Sequence, residues 1–527
     1  MPPLSKTIRI LLIASGAMLL VMMLFYPFGY DQAAFSVGGD MVLKNGAVPF
    51  RDFLDTKPPF IFYIYSVALF IFGHHDWSIR AFDILFHLGA LFYFYKVLVS
   101  VLKNEDHALL SCFIYVILYT TSGYWMTAQA ETFAIIPSVV IFYHTERFLS
   151  GKGKPIGNAL AIGLASTTLF FLKSTLMTVP LASLIFLLLR QHDKKIYTFA
   201  AASIAATLIS SAIYIYYLSS VGALGRLMEV FVWVQDYGGI APLLSWDTIT
   251  SVYIQRFPWH LVMIYSPTFL AGAALCIFFI WKSKRDNKTL TDVEYIYIHL
   301  GLQALLGLLA VMYERKCFPY HYSRAYWAMT PLIVAGLMQV ISYVRTVIRP
   351  NYRKYVYALI VIFTLPPLYR IGSQPIRWTF VELAGMSRAQ VVEDTHEHYP
   401  LKEMQQLAEK YSPMLTTNDN VFFWGNHVGV YFYLDKLPTT ITLTNTPLVT
   451  NWSPKNWRDT MMSQLRRSSP KLFITERRDF KGFINFTEMD SWENLQAWDS
   501  LRIYLDSNYT YSDSVGVYRV FTKNNHR

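Results

Sequence analysis

Asp31, Lys57, Glu131, Lys173, His321 and Arg324 are the residues whose types and settings could do chemistry. Asp31 lies in a thirty-residue stretch, Tyr30 to Pro59, that follows directly on an apolar run. That stretch holds four aspartates, three cations and three prolines. Charged groups crowded at a membrane edge are costly unless they serve a site. A carboxylate there can take a proton from a hydroxyl. Ammonium, guanidinium and imidazole groups can stabilise negative charge developing on a leaving group.

Each of these residues has a blander reading beside it. Asp31 could simply cap a helix, accepting bonds from the free amides of the first turn. Asp40 sits nine positions further on, about half a turn out of phase on a helix, so the two do not form a carboxylate pair. Asp31 is the choice for the site, and Asp40 is expected to be solvated or interfacial. In Lys57-Pro58-Pro59 the prolines preset the start of a short helix and fix where the ammonium points. A lysine beside a helix start favours an anion, phosphate above all, although snorkelling to the headgroups is the simpler use. Glu131 is the only carboxylate on a short loop before an apolar run, and Lys173 interrupts a nearly continuous apolar run from Ile156 to Leu189. His321 and Arg324, with Tyr320 and Tyr322, sit at the mouth of another run, and Asp55 lies two residues before Lys57.

Composition says what must position these groups. Of 527 residues, 54% are hydrophobic, 16% aromatic and only 15% charged, against a usual quarter or so charged. That balance suits a polytopic membrane protein with interfacial aromatic belts. The formal net charge of +11 gathers in short loops between apolar runs, so it is assigned to topology and no nucleic-acid partner is expected. Three cysteines are too few for a disulfide framework. Lys6 and Arg9 before an apolar stretch resemble a signal peptide, but the stretch is long and is read as an uncleaved first span. No phosphate-binding glycine loop, dinucleotide fingerprint, HExxH or paired cysteine ligands are present.

Eleven apolar runs are span candidates: 7–28, 79–102, 108–125, 132–148, 156–172, 174–190, 197–219, 260–281, 293–313, 322–344 and 355–371. The segment Phe60–Phe72 is too short to cross and is read as a juxtamembrane helix. With Lys6 and Arg9 inside, the positive-inside rule puts Lys103, Arg147/Lys152/Lys154, Arg190/Lys194/Lys195, Lys282–Lys288 and Arg345–Lys354 in the cytoplasm. The Asp-rich loop, Glu131, Lys173, residues 220–259 and the segment 315–322 then face the other side. The expected organisation is a transmembrane catalytic domain over 1–372, with 29–78 as its first outer loop, and an extracytoplasmic α/β domain over 373–527. In that tail, Val421–Gly425, Lys471–Ile474 and Val515–Phe521 read as strands, and Leu401–Lys410 and Trp457–Arg467 as helices. Gly425-Asn426-His427 is read as a turn without chemistry.

At Asp31, Gly46–Pro49, Lys57–Pro59, Glu131, Lys173 and Lys316–Arg324 the sequence resembles the GT-C glycosyltransferases that use polyprenyl-phosphate sugars. The branch it resembles is that of protein O-mannosyltransferases and aminoarabinose (lipid A) transferases. The family's frequent Asp-Glu pair is Asp31-Gln32 here. The acid that directly precedes Lys-Pro-Pro in the aminoarabinose branch is Thr56 here, with Asp55 one step earlier. The resemblance implies a multi-pass enzyme of the cytoplasmic (inner) membrane with its active site on the extracytoplasmic side. It would transfer a sugar, with inversion, from a polyprenyl-phosphate donor to a glycan, lipid or protein acceptor. It implies Asp31 as base, Lys57, Lys173, His321 and Arg324 on the donor phosphate, and Glu131 orienting the acceptor or, with Asp31, holding a divalent metal ion. Asp55, Tyr320 and Tyr322 would support them. No cofactor beyond that metal ion is implied. The alternatives are a polysaccharide polymerase or ligase using lipid-pyrophosphate oligosaccharides, and a secondary transporter. Against the transporter, no halves repeat and the ionisable groups gather at one face.

Overall fold

The computed structural model describes residues 3–190, 193–237, 245–286, 288–395, 399–479 and 487–524. Among the described residues the chain is mainly helical, with one small sheet in its last quarter. The first helices are α1 (Lys6–Met22), α2 (Tyr30–Asn45), α3 (Phe60–Phe72), α4 (Ser78–Leu102), α5 (Glu105–Thr120) and α6 (Ala130–Phe133). They are followed by α7 (Ile135–Leu149), α8 (Pro155–Leu172), α9 (Thr178–Arg190), α10 (Lys194–Ser220) and α11 (Leu224–Tyr237).

Seven stretches among the described residues are long and apolar enough to cross a membrane. They are Lys6–Phe25, Ser78–Leu102, Pro155–Leu172, Lys194–Ser220, Trp246–Arg285, Asp292–Glu314 and Pro319–Val347. Pro350–Phe363 and Leu365–Leu383, bent by 54° at their junction, make an eighth if counted as one. The protein is therefore a multi-pass membrane protein. The eleven-span expectation differs by three. The runs at 108–125, 132–148 and 174–190 do fold as helices, but α5, α7 and α9 have only 16, 15 and 13 residues. A helix needs about 20 to cross. The apolar residues beyond them form turns instead: Ser174–Met177 is a 3-10 turn, and Thr121–Trp125 leaves the helix altogether.

The chain forms two compact units. The first comprises Met1–Tyr26, Phe82–Tyr214 and Ala241–Thr379. Small residues bring its helices close, as interhelical packing in lipid requires. A Cβ added at Gly336 would fall 1.8 Å from the Gly272 carbonyl oxygen, so the helices Phe257–Arg285 and Tyr326–Val347 touch backbone to backbone. Ser266, at φ 64° just before Pro267, kinks the first of these, as a proline inside a helix does.

The second unit comprises Pro27–Ala81, Ile215–Ile240 and Phe380–Arg527. Residues 27–81 and 215–240 thus pack with the tail. Its sheet has strand order β1-β2-β4-β3, with β1 (Val421–Trp424) parallel to β2 (Leu472–Glu476). β3 (Tyr509–Val515) and β4 (Tyr518–Lys523) pair antiparallel, so the run read as one strand over 515–521 is a hairpin turning at Gly516. The helices Leu401–Tyr411 and Lys455–Ser468 bury Met404, Leu407, Met461 and Leu465. The Asp-rich loop is bound to this unit: Leu54 N–H donates to Ile441 O at 2.6 Å, and Arg226 of α11 donates to Arg51 O at 2.6 Å. α2 ends at Gly46 in the left-handed conformation. Its Gly38 and Gly39 let α3 lie against it, since a Cβ there would strike Phe62 at 2.5 Å and Ser66 N at 2.9 Å.

Candidate functional site

Four of the six residues singled out come together in the first unit, around an acid that was not. Glu131 is the second residue of α6, a single turn that follows Ala128 at φ 57°. A non-glycine residue in this region needs outside support. It comes from Tyr119, whose hydroxyl accepts the Ala128 N–H at 3.1 Å and donates to Asp83 at 2.5 Å. Asp83 in turn meets His87 Nδ1 at 3.0 Å, and all three side chains are buried. Lys173 is the extended residue that ends α8, with φ −167°. Glu314 is the last residue of the helix Asp292–Glu314, and His321 and Arg324 ride on the 3-10 turn Pro319–Ala325.

The five side chains form one buried network. Lys173 Nζ lies 2.5 Å from Glu131 Oε1 and 2.9 Å from Glu314 Oε2. Arg324 Nη2 reaches the same two carboxylates, at 3.2 Å and 2.6 Å, and His321 Nδ1 lies 2.9 Å from Glu314. Thr175 donates to Glu314 and accepts from Arg324 Nη1 at 3.1 Å. Two cations face two carboxylates, so charge balances internally with the imidazole neutral. Tyr320 places its ring 5.9 Å from Lys173 Nζ. Tyr322 is fully buried and donates to Phe257 O at 3.2 Å, a packing role.

Ligand atoms of Glu131, Glu314 and His321 all lie within 4.8 Å of one another, close enough to share a metal ion. A divalent cation prefers carboxylates whose charge is not already matched. Here Lys173 Nζ bridges both carboxylates at hydrogen-bond distance, where an ion would have to sit. The residues fit a salt-bridge network better than a metal centre, and no step is routed through a metal.

Outside the network, Lys316 is partly buried beside Arg315 and Arg256. Desolvation first, then those two like charges, push its ammonium down to about 8. A bound anion would relieve that repulsion. A cavity of about 290 Å³ lies among α7, α8, α9 and α10, lined by apolar side chains such as Ile162, Leu181, Leu187 and Leu208.

The second unit holds Asp31, Asp55 and Lys57. Gly29 is the N-cap of α2, so Asp31 is a first-turn residue without the capping role. Asp55 accepts from the Lys57 N–H at 2.9 Å and from Thr56 Oγ1 at 3.3 Å, which folds the loop tightly ahead of the two prolines. Desolvation pushes the Asp55 carboxyl up to about 6; the Lys57 N–H and ammonium oppose the shift, and the negative charge of Asp31 adds to it. Asp31 and Asp55 are therefore electrostatic neighbours. Asp40, expected to be solvated or interfacial, is not solvated. It is 2% exposed, with His74 Nδ1 at 2.6 Å and Lys44 Nζ at 3.2 Å. A short helix buried against α3 leaves no water for that carboxylate, so it takes two cationic partners instead.

Glu314 was legible in principle, as an acid ending an apolar run beside Arg315 and Lys316, the same flank that carries His321. Asp83 and Tyr119 had a weaker signal, an aspartate and a tyrosine inside runs read only as spans.

This architecture is the GT-C fold that the sequence resemblance implied. Residues 56–216 match the family described as dolichyl-phosphate-mannose-protein mannosyltransferase. The crystal structure of ArnT from Cupriavidus metallidurans bound to undecaprenyl phosphate is similar over 99% of this chain and 99% of that one, with 12% identity and a TM-score of 0.60. The arabinofuranosyltransferase AftD from Mycobacteria is matched over 99% of this chain and 40% of its own, with 12% identity and a TM-score of 0.44. No curated protein matches the sequence. At such identity the likeness to ArnT is one of fold.

Proposed function

We propose that the protein is an inverting glycosyltransferase of the cytoplasmic membrane that takes a sugar from a polyprenyl-phosphate donor on the extracytoplasmic face. The observation that carries this reading is the grouping of Asp31, in the first turn of α2, with Asp55 and the proline-fixed Lys57 of the loop before α3, within a fold shared with ArnT. Support also comes from the undecaprenyl phosphate bound in that ArnT structure and from the match over 56–216.

In the reaction, an acceptor hydroxyl oxygen attacks the anomeric carbon while the bond from that carbon to the phosphate oxygen breaks. Asp31 takes the hydroxyl proton, and the electron pair leaves with the polyprenyl phosphate. Lys57 stabilises the charge left on that phosphate. Lys173, Arg324 and His321 of the first unit are held in fixed positions by Glu131 and Glu314. Lys316, its ammonium destabilised by burial and then by Arg315 and Arg256, would be favoured in its charged form by a bound anion. The apolar cavity among α7–α10 suits part of an isoprenoid chain.

The test is purified protein given undecaprenyl-phosphate sugars, read by release of undecaprenyl phosphate. Turnover with these donors supports the reading. Turnover with lipid-pyrophosphate oligosaccharides alone would replace it by a polymerase or ligase.

A further inference from the structure

The second unit carries a buried polar cluster that the proposed reaction does not use, built on the turn Gly425-Asn426-His427. His427 is 2% exposed, Glu476 1%, Asn426 1% and Asp479 4%. His427 Nδ1 bonds the Glu476 carboxylate. The second oxygen of that carboxylate accepts the N–H groups of Asn426 and His427 at 3.0 and 3.1 Å. Asp479 holds Asn426 through its side-chain amide at 3.0 Å and is itself anchored by the Ser491 N–H at 2.8 Å. A Cβ at Gly425 would fall 2.3 Å from the Phe423 ring and 2.7 Å from the Glu476 carboxylate, so a side chain there would push against both. One carboxylate thus bonds both the imidazole and the backbone of its own turn, which fixes the ring against that turn. A buried polar cluster of this kind is costly unless its members are satisfied.

The imidazole stands against the start of α2. The Tyr30 ring meets it edge-on at 5.5 Å, and Tyr30 directly precedes Asp31. The surrounding groups hold the same few residues. Tyr399, its ring 5.5 Å from His427, donates to Phe28 O at 2.8 Å. The Phe432 ring lies 4.8 Å from that of Phe28, and Gly429 leaves room for Ala33, which a Cβ there would approach to 3.3 Å. Residues 28–33 are thus gripped by the segment 427–432 from the far end of the chain.

We infer that the Glu476–His427 pair is a positioning device for Asp31: it fixes the Tyr30 ring and so the first turn of α2 that carries the carboxylate. The inference rests on the assignment of Asp31 as base. It gives the tail a part in the chemistry, because a base displaced by about 1 Å loses up to about a hundredfold in rate.

The test uses the full chain in lipid nanodiscs with undecaprenyl-phosphate mannose, glucose, arabinose and aminoarabinose as probe donors and a membrane lipid extract as acceptor. His427→Ala and Tyr30→Ala should each lower kcat by about 10- to 100-fold, with donor KM within about twofold of the parent. The double variant should be no worse than the poorer single one, since both remove one contact. Tyr30→Phe, which keeps the ring, should stay well above Tyr30→Ala. If His427→Ala does not fold, the Tyr30→Ala and Tyr30→Phe pair decides alone. Unchanged kcat in the Tyr30→Ala protein, a loss confined to KM, or losses that multiply in the double variant overturn the positioning role. Asp31→Asn, assayed in parallel, separates the two ideas: parental turnover there removes the base reading whatever the Tyr30 variants show. A parent protein that uses none of the donors removes both.

Discussion

The Lys173 ammonium bonds the Glu131 carboxylate at 2.5 Å, joining the end of α8 to the turn α6. The contact is almost sealed from solvent, with side-chain exposures of 13% and 0%. Glu314 closes the same ammonium from the other side. A lysine read from sequence as awaiting a phosphate is already paired.

Breaking such a buried network should be expensive. Lys173→Met leaves two buried carboxylates to share Arg324, and should lower stability by about 3–5 kcal/mol. Adding Glu314→Gln removes one of those charges and should recover part of the loss. Denaturant unfolding in detergent measures both. Equal stability of Lys173→Met and parent would show that the network holds nothing together.

Asp55 supplies a pH test. Its folded carboxyl titrates at about 6, above the ordinary aspartate value, mainly through desolvation. A group raised in the folded state contributes stability that is fully present below its unfolded pKa and is lost as pH rises through the folded one. Asp55→Asn should therefore raise the melting temperature at pH 8, and the gain should vanish below about pH 4. The gain should also shrink in an Asp31→Asn background, because the Asp31 charge contributes to the shift. A gain independent of pH would contradict the assignment.

Lys316 gives the opposite limb. Its ammonium loses its proton at about 8, and a bound phosphate favours the charged form. Affinity for undecaprenyl phosphate should weaken as pH rises through about 8, and Lys316→Met should flatten that dependence. Titrations at pH 7 and 9 on both proteins decide it. A slope unchanged in Lys316→Met would place the phosphate elsewhere.

Much of the fold was legible in the sequence because its signals are local. The short helix Phe60–Phe72 and the helices read at Leu401–Lys410 and Trp457–Arg467 follow from the pattern of apolar residues, and the structure has helices at Phe60–Phe72, Leu401–Tyr411 and Lys455–Ser468. Span length was less legible, since apolar composition at Thr121–Trp125 and Ser174–Met177 does not reveal where a helix turns aside. Glu131, Lys173, His321 and Arg324 could be singled out by charge against an apolar background. Their pairing could not, because Glu314 reaches them only through the tertiary fold. His427 was hidden for the same reason: a turn in sequence becomes a buried pair only once β1 and β2 lie side by side and bring Glu476 to it.

The central claim is that Asp31 takes the acceptor proton while a lipid phosphate leaves. The most direct measurement compares parent and Asp31→Asn proteins, matched in melting temperature, for release of undecaprenyl phosphate from an undecaprenyl-phosphate sugar. The account predicts release by the parent and none above background by Asp31→Asn, with lipid-phosphate binding kept in both. Full release by a folded Asp31→Asn protein would contradict it.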